Sequence, residues 1–259
     1  MSFKEWITWY ANCSGVLYLD HHAERSALFH SPTYQSGYGD QSLSLPVFEA
    51  MRLRHDIFAD VVALAPLSFG KVPVRFGSEP EQVRGDLVSG NFFAGLGEKA
   101  LLGRLITLDD ERKSAQVAVI SHRWWMSRFN GSANILGQTL YVKGVPLSIV
   151  GVGPAGFEGA DPGQPQMEFW IPLQKNPILG PWGSGHIYES PNYLCLIMIG
   201  RLKPGVSSET ARAALTPLFR RTLAEASPVS ASDRPPSCCS RTSEESKQCG
   251  TITRNHCGF

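Results

Sequence analysis

Short apolar runs alternate along the chain with turns rich in glycine and proline, and the period of each run sorts it into helix or strand. Ser44 stands where an N-cap belongs, Pro46 falls in the first helical turn, and Val47, Phe48 and Met51 form an apolar stripe. These predict a helix over residues 45–54, with Phe58 following its exit turn. Residues 61–65 read as a buried strand, and 72–76 as one arm of a hairpin whose other arm is 82–88, around Gly77-Ser78-Glu79-Pro80. Within that second arm Val83, Gly85 and Leu87 fall on one face and Gln82, Arg84 and Asp86 on the other, the alternation of a half-buried strand. The strand should stop at Ser89-Gly90. Ser89 or Asn91 can then cap a short turn that points Phe92, Phe93 and Leu96 inward, and Gly97 can end it in the left-handed conformation.

Further along, residues 117–121 predict a strand and Ser121 caps a helix anchored by Trp124, Trp125 and Phe129 and ended by Gly131. Residues 140–143 and 146–152 form a hairpin around Lys143-Gly144, and 168–173 is a short strand with Trp170 on the core. The most apolar strand, 192–202, is expected at the centre of the sheet. Ser207 then caps a helix in which Ala211, Ala214, Leu215, Leu218 and Leu223 recur at helical spacing, with Arg220-Arg221 near its end. Pro217 should kink that helix or break it near Ala213. The order is helix, strands, a mostly β insertion with one helix, then a returning strand and helix, which is an α+β layout.

Composition narrows the classes. The 259 residues, 42% hydrophobic and 18% charged, can bury one core or two modest ones. With 25 glycines and 18 prolines, a turn-rich fold with strands fits better than a helical bundle. A formal net charge of +1 without a basic run excludes an electrostatic footprint for nucleic acid. The longest apolar run, 193–200, is far below the roughly 20 residues of a spanning helix. The N-terminus lacks the charged-then-apolar order of a secretory signal, so the chain is expected neither to span a membrane nor to carry an export signal.

Candidate chemistry is sparse. Residues 151–156 fit GxGxxG after a strand, but Pro154, Gly159, Pro162, Gly163 and Pro165 forbid the helix a dinucleotide site requires. Asp109, Asp110 and Glu111 read as a solvated turn, without the histidine or calcium-loop glycine of a site. Cys238, Cys239, Cys249, His256 and Cys257 have metal-ligand chemistry but no CxxC pair, and His21-His22 point apart on any regular element. Ser121-His122 lacks an orienting third group, as does His186 with Tyr188 and Glu189 in a glycine- and proline-rich loop. No catalytic, cofactor-binding or metal residue is therefore expected, and no cofactor. Residues 1–40 are expected to form a poorly ordered leader and 227–259 a disordered tail.

The run VSGNFFAGLG from Val88, followed by LLGR and LITLDD, resembles the periplasmic core domain of MacB-like ABC-transporter permeases. That is the FtsX-like/MacB family, and in particular its acidobacterial-type permease paralogues. Other segments match in register: LSLPVFEAMRLRHDIFADVVA from Leu43, VAVISHRWWMSRF from Val117, ILGQTLYVKGVPLSIVGVGPAGFEG from Ile135, EFWIPL from Glu168 and IGRLKPGVS from Ile199. The likeness covers roughly residues 41–226. It implies a porter-like subdomain of sheet and helices, interrupted over about 105–173 by a β-rich, sabre-like one. It also implies a non-catalytic domain on the extracytoplasmic face of the bacterial inner membrane, in the periplasm, passing ATP-driven motion to export or to a periplasmic partner protein. Such permeases have transmembrane helices on both sides of this domain, dimerise, and use an ATP-binding subunit; this chain has no phosphate loop GxxxxGK[ST]. The resemblance is to such a permease in truncated form, and the alternatives to a working permease domain are a truncated fragment without independent activity or a free-standing extracytoplasmic binding module.

Overall fold

Helix α1 (Leu45–Arg52) begins where Pro46 can occupy the first turn without losing a hydrogen bond, and it buries Val47, Phe48 and Met51. Ser44 takes the extended N-cap conformation, yet its buried hydroxyl makes no capping bond. The computed structural model describes residues 6–11, 17–21, 43–68, 70–157, 159–160, 166–173, 175–180 and 195–224. The other α-helices and strands of the described residues, in chain order, are β1 (Trp6–Ala11), β2 (Leu17–His21), β3 (Phe58–Pro66), β4 (Val72–Phe76), β5 (Glu79–Val83), β6 (Gly85–Val88), α2 (Phe92–Leu96), β7 (Leu102–Gly103), α3 (Leu108–Arg112), β8 (Val117–Ile120), α4 (His122–Phe129), β9 (Thr139–Val142), β10 (Val145–Val152), β11 (Phe169–Pro172), β12 (Ile197–Leu202) and α5 (Ser208–Ala224), with short 3-10 turns at Ala133–Ile135 and Pro177–Leu179.

Hydrogen bonds join these strands into one mixed sheet of order β2-β1-β12-β3-β6-β11-β8-β10-β9-β4-β5, with β7 on β10. The pairs β6–β11 and β8–β10 are parallel, and the others are antiparallel. The apolar β12 lies inside the sheet, between β1 and β3. Both faces of β3 are covered. Val61, Ala63 and Ala65 pack with α1 and with Ala211, Leu215 and Phe219 of α5; Val62 and Leu64 pack with Phe92, Phe93 and Leu96 of α2. On the α2 side Phe93 meets Trp170 edge-on, with Phe157 against both. In the other half, α4 sets Trp124 against Phe169, and Phe129 against Phe76. The opposite face of β4 and β9 carries Arg75 stacked 3.9 Å from the Tyr141 ring.

Several expectations are corrected. The leader expected over residues 1–40 contains a hairpin: β1 pairs with β2, and also with β12 from Trp6 opposite Arg201 to Trp9 opposite Met198. Its stabilising partner lies far along the sequence, so no local period announces it. The hairpin after β4 closes more tightly than expected, with Phe76 opposite Glu79, so Glu79 and Pro80 belong to β5. The half-buried strand over 82–88 is two strands. Alternation ends at Arg84, and all four residues of β6, Asp86 included, are buried because β6 lies between β3 and β11. Ser89 and Asn91 do not cap α2 with their side chains: Ser89 Oγ accepts from Ala63 N–H, and Asn91 Nδ2 donates to Asp60 Oδ1 and the Val61 carbonyl. Gly97 does take the left-handed conformation, at φ 76°. Pro217 does not divide the last helix, which runs unbroken from Ser208 to Ala224 with Leu215 and Phe219 both buried. Residues 227–259 and the loop holding His186, Tyr188 and Glu189 lie outside the described residues.

Candidate functional site: the joint between the two halves of the sheet

The chain passes from the outer hairpin into the central sheet through one residue, Arg84, between β5 and β6. Glu168, just before β11, holds that crossing. Its N–H donates to the Arg84 carbonyl (3.0 Å), and its Oε2 accepts from Arg84 N–H (2.7 Å). Its carbonyl accepts from Ser121 N–H (2.8 Å), and its Oε1 accepts from Arg123 Nη2 of α4 (2.7 Å). All four polar groups of one residue are thus spent on three segments. Next in line, Gly85 lies under the Phe169 ring, which a Cβ there would overlap.

A second carboxylate works at the Gly90 turn. Thr107 caps α3 and Asp110 returns the bond, a reciprocal capping box. The buried Asp110 also takes a two-pronged ion pair from Arg104, Nη1 to Oδ2 at 2.6 Å and Nη2 to Oδ1 at 2.9 Å. Burial alone would raise the Asp110 carboxyl, but the bonds from Arg104 and Thr107 outweigh it and hold it below the usual carboxylate range. This fixes α3 so that Glu111 reaches outward. One oxygen accepts from Gly90 N–H (2.7 Å), the other from Arg52 of α1 (2.9 Å). Gly90 has no room for a side chain against the Thr107 and Leu108 backbone. The solvated turn expected for these acids is therefore corrected for Asp110 and Glu111, while Asp109 does pair at the surface with Lys113.

The other candidates from the sequence fall elsewhere. Ser121 Oγ accepts from Trp124 N–H, and His122 packs 5.9 Å from the Trp125 ring. The segment 151–156 ends β10 and turns at Pro154-Ala155-Gly156, and among the described residues that come next, 157, 159–160 and 166–168, none is helical. Cys195 is buried, and burial pushes its thiol up. Among the described residues no three His, Cys, Asp or Glu side chains gather as metal ligands. The spacing Thr107-x-x-Asp110 is a legible capping signal. Glu168 gave none, since its partners Arg84 and Arg123 stand 84 and 45 residues away.

With this geometry, the sequence matches the MacB-like periplasmic core domain over residues 15–218. The chain belongs to that family, the extracytoplasmic part of ABC-transporter permeases. Among solved structures it is similar to the periplasmic region of MacB from Actinobacillus actinomycetemcomitans, at 15% identity and a TM-score of 0.57 over 86% of each chain. It is also similar to the extracellular domain of the ABC-type transporter YknZ from Gram-positive bacteria, at 14% identity and a TM-score of 0.52 over 86% of this chain and 96% of that one. No curated protein sequence matches it. No helix among the described residues is long and apolar enough to cross a membrane.

Proposed function

We propose that this is a non-catalytic transmission domain of an ABC-transporter permease. It passes motion driven by an ATP-binding subunit, through transmembrane helices, to export or to a periplasmic partner, and works as a dimer on the extracytoplasmic face of the membrane. The observation that carries the reading is the latched joint in a chain of this family: charged bonds bind the halves of one sheet where a site for chemistry would need a cleft. A part that transmits displacement needs directional cross-links between its pieces, and Glu168 and Glu111 supply them, with Asp110 fixing the helix that carries Glu111.

The test is a permease carrying this domain, reconstituted with its ATP-binding subunit in proteoliposomes, with and without residues 6–224. Removing the domain should leave ATP hydrolysis in place and abolish export. Export that continues without the domain overturns the reading.

A further inference from the structure

The geometry points to a pivot inside the sheet, at the seam between β11 and β8, with Glu168 as the pin that holds it closed. Along the ordered path of the sheet this seam has the shortest ladder: only Phe169 opposite Ile120 and Trp170 opposite Val119. Its neighbours are longer, with four residue pairs between β11 and β6 and four between β10 and β8. The seam is well filled, since Phe169 and Ile120 are buried on one face and Trp170 and Val119 on the other. Apolar contact of this kind is non-directional and tolerates rotation of one layer over the other. Hydrogen bonds are directional, and they are what fixes the angle.

Glu111 ties α3 to Gly90 and α1 away from the seam, and the bonds at the seam itself converge on Glu168. Its carbonyl extends the ladder by one bond to Ser121 N–H, and its carboxylate spans from the Arg84 N–H, where the outer hairpin enters β6, to Arg123 on α4. The covalent crossing at this point is the single residue Arg84, with no loop to take up slack. With Glu168 engaged, α4, the β5–β6 crossing and β11 form one body. Released, β8 and α4 with the strands beyond them swing about Arg84 while β3, β6, β12, α1 and α5 stay packed. This inference rests on the reading of the domain as a transmitting part and supplies the place where it bends.

Hydrogen exchange read by mass spectrometry on the full chain tests it, comparing wild type with Glu168→Ala, Glu168→Gln and Arg123→Ala. Glu168→Ala should accelerate exchange at least tenfold in peptides spanning 84–88, 117–121 and 169–172, with α1 and α5 unchanged. Glu168→Gln keeps an acceptor for Arg84 N–H and loses the charge facing Arg123, so it should show a smaller change in the same peptides, as should Arg123→Ala. Unaltered exchange at the seam overturns the pivot, and so does uniform acceleration across the chain. Where Glu168→Ala fails to fold, the two milder variants carry the same criteria. The outcome is independent of export: a domain required for export with a rigid seam would sink the pivot alone.

Discussion

Three consecutive acids, Asp109, Asp110 and Glu111, have three different partners: a surface lysine, a capping box with an arginine, and a bridge to Gly90 and Arg52. Asp110 binds its proton less readily in the folded chain than in the unfolded one. Its contribution is therefore fully present above the ordinary carboxylate range near about pH 4 and is lost as pH falls through its depressed folded value. Asp110→Asn should cost about 1–3 kcal/mol at pH 7, and urea melts should show the gap to wild type narrowing at pH 3. A gap that stays constant would mean the charge is not what matters. At the aromatic cluster, Phe93 is fully buried against Trp170, and Phe93→Ala should cost about 3–5 kcal/mol in the same melts. The sequence made Phe93 legible because an apolar pair beside glycines has few places to go. It concealed Glu168, whose role exists only once Arg84 and Arg123 are brought to it.

Among the elements, legibility followed the reach of the stabilising contact. Helix α4 with its Ser121 cap and the β9–β10 hairpin, turning at Lys143 and Gly144 with positive φ at both, are local structures and were readable residue by residue. The β1–β2 hairpin depends on β12, and β6 depends on β11, so periodicity within either segment says little. Proline 217 illustrates the opposite error. Proline removes one backbone hydrogen bond, and here the burial of Leu215 and Phe219 on either side of it holds the helix together. Pro217→Ala should consequently raise stability by about 1–3 kcal/mol, seen as a higher denaturation midpoint with an unchanged slope. A lower midpoint would show that the ring itself packs against something essential.

At the scale of the whole molecule, the sheet is assembled out of sequence order. β11 enters between β6 and β8, and the hairpin β4–β5, which precedes them in the chain, pairs with β9, Val74 standing opposite Val142. The α+β layout and the kinship with the permease domain were readable from motifs in register; the single sheet running through both halves was not, because its order is decided by pairings between distant segments. Those pairings meet at Gly85, the one position in β6 where the Phe169 ring can settle. A slip of one residue in either direction would push Arg84 or Asp86 under the ring, so the register of the central strands is set by a missing side chain. It also dates the event. β6 can join β3 early, across some twenty residues of chain, but cannot be closed on its other side until Phe169 has been synthesised and delivered. Such long-range closure is the slow kind of step in folding, so β6 is completed late, ahead only of the still longer-range pairings of β12 with β3 and β1.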